Sequence, residues 1–366
     1  MHLVLVHLGS RPSPLLKSNI ARLKVLFPGI QLVVISDSKS RGYRRNQMNI
    51  KVFPYSSTAQ RPSPDPKSGR SMRFRQGFWQ LTFERLLAVT SYHSNNPTAR
   101  VLHIETDVLL FPNFPFEILR LFQTPTWCNY NQDRDVASLL YLPNFHSSEW
   151  LRGELLKQLE ANVNVSDMEA LSNISRTHPT KVAYFPSLTE KLRPVMLNVR
   201  NLGVDGLSCK LPTIKSNLEG IFDSAAIGMW LCGLDPENHY GRLIRHDRGI
   251  IDSGDSLIDP SKLAYRMDRD GNLFVQFQET ITYIYSLHIH SKRKELFSSH
   301  WKHELEKDVD LSKDVKTLTK TTTSLALRVF LLQLHDGNLV RYLLSFPKIY
   351  PYVKRVRDRV RNFLTL

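Results

Sequence analysis

The first 37 residues contain two short apolar runs and, between them, one segment with helical spacing. Residues 2–8 and 31–35 are apolar runs of the length typical of buried strands. Apolar residues at helical spacing over 15–27 predict a helix, which should end at the Pro-Gly pair that follows. Strand, helix and strand in this order predict a parallel βαβ unit with a right-handed crossover. The loop that begins at Ser36 and Asp37 should then lie at the carboxyl edge of the sheet, where ligands of such sheets bind.

The same patterns predict alternating helices and strands over much of the remaining chain. Ser166 and Glu169 form a capping-box pattern at the start of one of these helices. The last 60 or so residues are helical by pattern. We therefore expect an α/β domain over residues 1–297 and a basic helical appendage over residues 298–366. Predicted strands cover 50–53, 101–104, 136–142, 182–185 and 280–290, and predicted helices cover 78–89, 148–161, a segment opening at 166, and 222–232.

Positive charge is concentrated in two stretches. The chain has 49 Lys and Arg residues against 34 Asp and Glu residues, a net charge of +15. Residues 39–75 contain ten basic residues and one acidic residue, and residues 341–366 contain seven and one, so these stretches hold the whole excess. A basic binding surface should therefore be local. The first stretch predicts a solvated connector or a mobile loop over a ligand, and the second a peripheral membrane contact or a helical bundle against the core.

Cysteine usage and the N-terminal residues favour a cytoplasmic protein. Cys128, Cys209 and Cys232 are odd in number and widely spaced, which predicts neither a disulfide framework nor a CxxC zinc site. Residues 1–10 lack the basic and long apolar regions of a secretory signal. No run approaches the roughly 18 apolar residues of a membrane span. We expect a cytoplasmic protein, with any membrane contact peripheral and made through residues 341–366.

Two acidic residues follow a predicted buried strand near the middle of the chain. Residues 101–104 are apolar, and Glu105 and Asp107 come where this strand should end. Because a chain leaving a strand need not keep strict alternation, both carboxylates can point into one volume. Paired carboxylates at a ligand edge suit a hard divalent cation, which prefers oxygen ligands and keeps positions open for phosphates. The alternative is a solvated turn.

A second group of polar residues ends the last predicted strand, in the sequence LHIHSK. His288 and His290 should face the same side because side chains on a strand alternate with a period of two. Lys292 follows closely. A lone histidine is more often a core residue than a ligand, so that alternative stays open.

Five further segments matter for their order along the chain: WQLTFER at 79–85, HIETDVLLFPNF at 103–114, SDME at 166–169, FDSAAIG at 222–228 and HIHSK at 288–292. Taken in this order, they resemble the GT-A-fold glycosyltransferases, which use nucleotide sugars. The resemblance is to a largely uncharacterised bacterial and viral group whose acceptor is generally not assigned, and it spans residues 1–295. Motifs of Rossmann dehydrogenases, P-loop NTPases, HExxH metalloproteases and GxSxG hydrolases are absent from the sequence.

The resemblance implies a GT-A-like, Rossmann-type sheet that is mostly parallel and flanked by helices, with Mn²⁺ or Mg²⁺ as cofactor. Glu105 and Asp107 match the acidic DxD pair of the family, although many members have Asp where this chain has Glu105. This departure leaves the metal preference open. His290 matches the late metal ligand, and Lys292 matches the residue that holds the diphosphate.

The nucleoside and the diphosphate have further candidate contacts by the same resemblance. Ser36 and Asp37 would meet the base or ribose of the donor. Arg85 would approach the diphosphate, unless it pairs with Glu84 or another nearby acid.

Asp223 is the candidate general base on the acceptor hydroxyl, and it is equally a good helix N-cap. Asp167, Asp252, Asp255 and His288 are candidate acceptor contacts. A helix start explains Asp167 without any ligand, and turns in a Gly-containing loop explain Asp252 and Asp255.

The expected activity is transfer of a sugar from a nucleoside diphosphate sugar donor to a hydroxyl of a saccharide or lipid-linked acceptor. Two other classes stay open. Both basic stretches interleave arginines with Tyr and Phe, as nucleic-acid-binding proteins do. A catalytically inert GT-A-like scaffold at a membrane surface is the other alternative.

Overall fold

The computed structural model describes a large part of the chain in several segments. The predicted appendage over 298–366 lies outside the described residues, as do His290, Lys292, Asp252 and Asp255. Most of the basic stretch over 39–75 lies outside them as well. The described residues are 1–8, 14–37, 50–56, 78–131, 134–188, 192, 220–232, 258, 260, 264–277 and 279–289.

Helices and strands alternate through these segments. The helices are α1 Pro14–Leu26, α2 Phe78–Ser94, α3 Phe145–Ala161, α4 Asp167–Thr177 and α5 Ala226–Cys232, with a 3₁₀ helix at Phe116–Leu121. None of the helices in this part of the chain has the length and apolarity needed to cross a membrane. The strands are β1 His2–His7, β2 Gln31–Asp37, β3 Ile50–Tyr55, β4 Val101–Ile104, β5 Val108–Leu110, β6 Thr126–Asn129, β7 Asp135–Leu142, β8 Ala183–Phe185, β9 Gly220–Phe222, β10 Tyr265–Met267, β11 Leu273–Phe277 and β12 Thr280–His288.

A seven-stranded sheet in the order β3-β2-β1-β4-β7-β6-β8 forms the centre of the structure. Its strands run in one direction except β7, which is antiparallel to both neighbours. Alternate residues of β1 face two cores: Val4 and Val6 pack with the α2, α3 and α4 side, and Leu3 and Leu5 pack with the α1 side. The predicted α/β fold, with a mostly parallel sheet flanked by helices, is confirmed.

A second sheet brings the end of the chain's last described strand to the middle of the first sheet. Its strands run β10-β11-β12-β5, and β9 pairs with β12. The strand β5 begins one residue after Asp107 and pairs antiparallel with β12, so that Val108 lies opposite His288. The sequence patterns did not predict this sheet as a unit, because β5, β9 and β10 have only three residues each.

Candidate metal centre

The turn between β4 and β5 carries the two acidic residues. All four residues of β4 are buried, and the chain leaves the sheet at Glu105, whose backbone N–H donates to the Ser138 carbonyl at 3.0 Å. Asn19 of α1 stabilises the turn, because its side-chain amide donates to the carbonyls of Thr106 at 3.2 Å and Val108 at 2.9 Å. The turn is therefore fixed on both sides.

His288 stands directly over the two carboxylates of this turn. Its Nε2 lies 3.2 Å from Oε2 of Glu105 and 3.2 Å from Oδ2 of Asp107. Asp107 is 3% exposed and His288 is 7% exposed. One ligand atom from each of the three residues lies within 4.8 Å of the other two. Two carboxylates and an imidazole within that span fit a divalent cation such as Mn²⁺ or Mg²⁺.

Arg85 of α2 places a positive charge beside the same turn. Its guanidinium forms an ion pair with Glu105 and a second one, at 2.9 Å, with Asp167 at the start of α4. Burial acts to lower the pKa of Arg85, but the carboxylates of Glu105 and Asp167 outweigh it and the pKa is raised. Arg85 therefore stays charged and pairs with these acids. Glu84, the partner that the sequence left open, instead accepts a hydrogen bond from the Tyr55 hydroxyl.

Asp167 occupies the helix start that its local sequence predicts. Ser166 and Glu169 form the predicted capping box. The Asp167 side chain turns towards Arg85, and burial raises the pKa of its carboxyl while Arg85 acts to lower it. In this structure Asp167 thus supports Arg85, and an acceptor contact by Asp167 stays a prediction.

Asp223 is buried and contacts the backbone of His288. One of its carboxylate oxygens accepts from the backbone N–H groups of Ala225 and Ile227, both at 3.0 Å. The other accepts from Gly228 at 2.8 Å and from His288 at 3.1 Å. Burial raises the pKa of Asp223, and the N–H donors of His288, Gly228 and Ile227 oppose that rise. These bonds favour the N-cap alternative over the general base. The helix begins at 226 instead of 222 because 220–222 form β9.

Ser36 and Asp37 lie at the same edge of the sheet as the acidic turn. Val4 of β1 pairs with both Val33 and His103, so Glu105 is nearly level with the residue before Ser36. One strand lies between them, which corresponds to about 10 Å across the sheet. That separation is compatible with one extended ligand reaching both places.

The structure thus brings Glu105, Asp107, His288, Arg85 and Asp167 together. The histidine next to the acids is His288, which the sequence assigned to the acceptor, and the prediction that His290 is a metal ligand falls outside the described residues. Strand alternation could not separate the two histidines, because both share one face. The pairing of Val108 with His288 does separate them, and no local sequence pattern predicts it.

No protein-family model matches this chain, and neither does any curated protein sequence. Solved glycosyltransferase structures are similar to parts of it. The galactosyltransferase LgtC in complex with donor and acceptor sugar analogs is 14% identical, with 53% of this chain and 77% of LgtC covered and a TM-score of 0.32. The apo form of the glycosyltransferase GlyE from Streptococcus pneumoniae TIGR4 is 10% identical over 50% of this chain and 44% of GlyE, with a TM-score of 0.32. The PaToxG glycosyltransferase is 9% identical over 49% and 68%, with a TM-score of 0.29.

Proposed function

We propose that the protein is a metal-dependent glycosyltransferase. It would move a sugar from a nucleoside diphosphate sugar to a hydroxyl of a saccharide or lipid-linked acceptor. The observation that carries the proposal is the meeting of Glu105, Asp107 and His288 at the carboxyl edge of a mostly parallel sheet. Acids from the middle of the chain and a histidine from a late strand occur in the order that the resemblance to GT-A-fold enzymes implies.

The three side chains are suited to hold Mn²⁺ or Mg²⁺ at that edge. A metal bound there would supply Lewis-acid stabilisation of the charge that develops on a departing diphosphate. Glu105, Asp107 and His288 would offer two carboxylate oxygens and one imidazole nitrogen, which would leave a divalent cation with room for phosphate oxygens.

Residues around this centre would bind and orient the donor. Arg85, which pairs with Glu105 and Asp167, would also offer N–H donors and positive charge to phosphate oxygens. Ser36 and Asp37 would contact the nucleoside from the neighbouring strand, and Lys292 would hold the diphosphate. The low exposure of Asp107 and His288 would keep bulk water from this side of the centre and so limit wasteful hydrolysis of the donor.

Fewer residues are proposed to contact the acceptor than the donor. Asp252 and Asp255 are candidates for acceptor hydroxyls, and Asp167 is a third candidate if it releases Arg85. The general base on the attacking hydroxyl is not assigned to Asp223 here, because both oxygens of Asp223 already accept backbone N–H groups.

A panel of nucleoside diphosphate sugars tests the proposal. Thermal stability of the protein is measured with each sugar, with and without Mn²⁺ or Mg²⁺, because a ligand that binds only the folded state raises apparent stability. We expect one donor class to stabilise wild type only when metal is present, and Asp107→Ala to abolish that effect. Donor hydrolysis and transfer assays follow with that donor.

Equal donor-dependent activity in wild type and Asp107→Ala would overturn the metal-dependent mechanism. If no nucleotide sugar stabilises the protein and it binds RNA or DNA with steep salt dependence, it is instead a nucleic-acid-binding protein.

A further inference from the structure

We infer that Asp223 and Gly228 are positioning residues that fix His288 in the candidate metal centre through its backbone. This inference rests on the proposed metal-binding role of His288. It concerns how the imidazole is held, and it does not depend on which sugar or acceptor is used.

The backbone N–H groups of His288 and of the residue after it both donate hydrogen bonds to aspartate residues. The N–H of His288 donates to Oδ2 of Asp223 at 3.1 Å. The N–H of the next residue, Ile289, donates to the backbone carbonyl of Asp107 at 2.7 Å. His288 is the last residue of β12, where a strand would otherwise fray. The two bonds hold this strand end in place.

Asp223 connects the strand end to the start of α5. The same carboxylate that accepts from His288 also accepts from Ala225, Ile227 and Gly228. The side chain is 1% exposed, so water cannot replace these bonds. One buried group therefore fixes the position of the helix start relative to the His288 peptide.

Gly228 lets the helix lie directly against that peptide. A Cβ atom at position 228 would be 1.9 Å from the carbonyl oxygen of His288 and 2.7 Å from its carbonyl carbon. It would also lie 2.8 Å from Oδ2 of Asp223. Since atoms at these distances overlap, any side chain at position 228 would push α5 and the His288 peptide apart. Glycine is needed here for close approach.

Holding the His288 backbone in place in this way matters because metal ligands tolerate little displacement. A functional constellation has to be held within about 0.5 Å of its working geometry. Supporting groups behind a ligand typically contribute about 10-fold to 100-fold in metal affinity. Moving the His288 peptide would carry Nε2 away from Glu105 and Asp107, whose own positions are fixed by the β4–β5 turn.

The test measures Mn²⁺ affinity directly on the purified full chain by titration with detection of free Mn²⁺. Asp223→Asn keeps the shape but turns an amide towards N–H donors. Asp223→Ser keeps a helix-capping hydroxyl that is too short to reach the N–H of His288. Gly228→Ala adds only a methyl group. We expect each variant to bind Mn²⁺ at least about 10-fold more weakly than wild type.

A cap variant elsewhere in the chain controls for lost stability. Asn144 caps α3, where its side chain accepts from the N–H of Ser147 at 2.9 Å. Asn144→Ala should lower the melting temperature and leave the Mn²⁺ dissociation constant unchanged. A folded Asp223→Asn or Asp223→Ser protein with wild-type Mn²⁺ affinity would overturn the inference, and so would a matching loss of affinity in Asn144→Ala.

A metal-free readout separates this inference from the proposed function. The imidazole signals of His288 in a histidine-labelled protein, identified by their loss in His288→Ala, should move in both Asp223 variants and stay in place in Asn144→Ala. If they move while wild type binds no divalent cation, the metal proposal fails and the positioning role stands. If they stay in place in the Asp223 variants, the positioning role is wrong.

Discussion

The imidazole Nε2 of His288 lies 3.2 Å from Oδ2 of Asp107, although 181 residues separate them in the chain. The contact exists because β5 starts immediately after the acidic turn and pairs with the end of β12. Asp107 immediately precedes β5 and His288 ends β12, so the backbone pairing of these two strands places the two side chains next to each other. The candidate metal centre is thus built at the junction of the two sheets.

The first prediction concerns which histidine binds metal. We expect His288→Ala to weaken Mn²⁺ binding by at least about 10-fold, because it removes one of three ligands. His146 is exposed and does not belong to the group of three candidate ligands, so His146→Ala serves as the control and should bind Mn²⁺ like wild type. His290→Ala, measured in parallel, shows whether that residue adds a further ligand. Wild-type affinity in His288→Ala would contradict the assignment.

The second prediction concerns the ion pairs of Arg85. Arg85→Gln leaves Glu105 and Asp167 without their shared cation, and removing one partner of a buried pair typically costs about 3–5 kcal/mol. We expect urea unfolding to show a loss of this order in the single variant. Asp167→Asn added to Arg85→Gln should cost less than the sum of the two single changes, because the second change removes one of the uncompensated charges.

Additive costs in that double-mutant cycle would mean that Arg85 and Asp167 do not stabilise each other. The control pair is Arg120 with Glu117, which are both largely exposed. Their coupling should be small, since exposed ion pairs contribute roughly 0–1 kcal/mol.

Local patterns in the sequence were sufficient to predict the first sheet's main elements. The apolar run that contains Leu3, Val4, Leu5 and Val6 predicts a buried strand, and the crossover of a βαβ unit is right-handed in nearly all cases. The position of Glu105 and Asp107 after an apolar run was enough to predict a site at the carboxyl edge. These inferences need only the chain near each residue.

The partners of that acidic turn could not be predicted in the same way. His288 is selected over His290 by its register against Val108, and such long-range pairing has no local pattern. The ion pair joins Arg85 and Asp167, which lie on two helices and are 82 residues apart in sequence. At Asp223 two explanations were equally consistent with the sequence, and only the four N–H groups around its carboxylate favour the cap.

The third prediction concerns acid stability and His93. Burial lowers the pKa of His93 below the ordinary histidine value of 6.5, against the opposing effects of the Ala99 carbonyl and Glu149. A histidine with a lowered pKa binds its proton more weakly in the folded state than in the unfolded state. Stability is therefore lost as pH falls through 6.5 and below, by at most about 1.4 kcal/mol per pH unit from this one group.

Urea unfolding at several pH values between neutral and mildly acidic measures this effect. His93→Gln does not titrate but retains a donor for the Ala99 carbonyl, which His93 contacts at 2.7 Å. We expect this variant to lose less stability on acidification than wild type. Identical slopes in the two proteins would show that His93 carries no share of the acid sensitivity.

The last prediction concerns Asn19, which supports the acidic turn from α1. Its buried amide donates to the carbonyls of Thr106 and Val108, so Asn19→Ala leaves the buried Val108 carbonyl and the half-buried Thr106 carbonyl without this donor. We expect a loss of about 1–3 kcal/mol in the free energy of unfolding. Asn19→Asp should cost more, because it places a negative charge against the same carbonyl oxygens.

Asn95 provides a matched control, since its amide donates to the Ser91 carbonyl at 2.9 Å in an exposed setting. Asn95→Asp should change stability by no more than about 0.5 kcal/mol. Because Glu105 and Asp107 sit on the turn that Asn19 holds, Asn19→Ala should also weaken Mn²⁺ binding. Asn95→Asp should not. A stability loss at Asn19 with unchanged Mn²⁺ affinity would mean that the carboxylates keep their places without this support, and that the sheet junction alone fixes the turn.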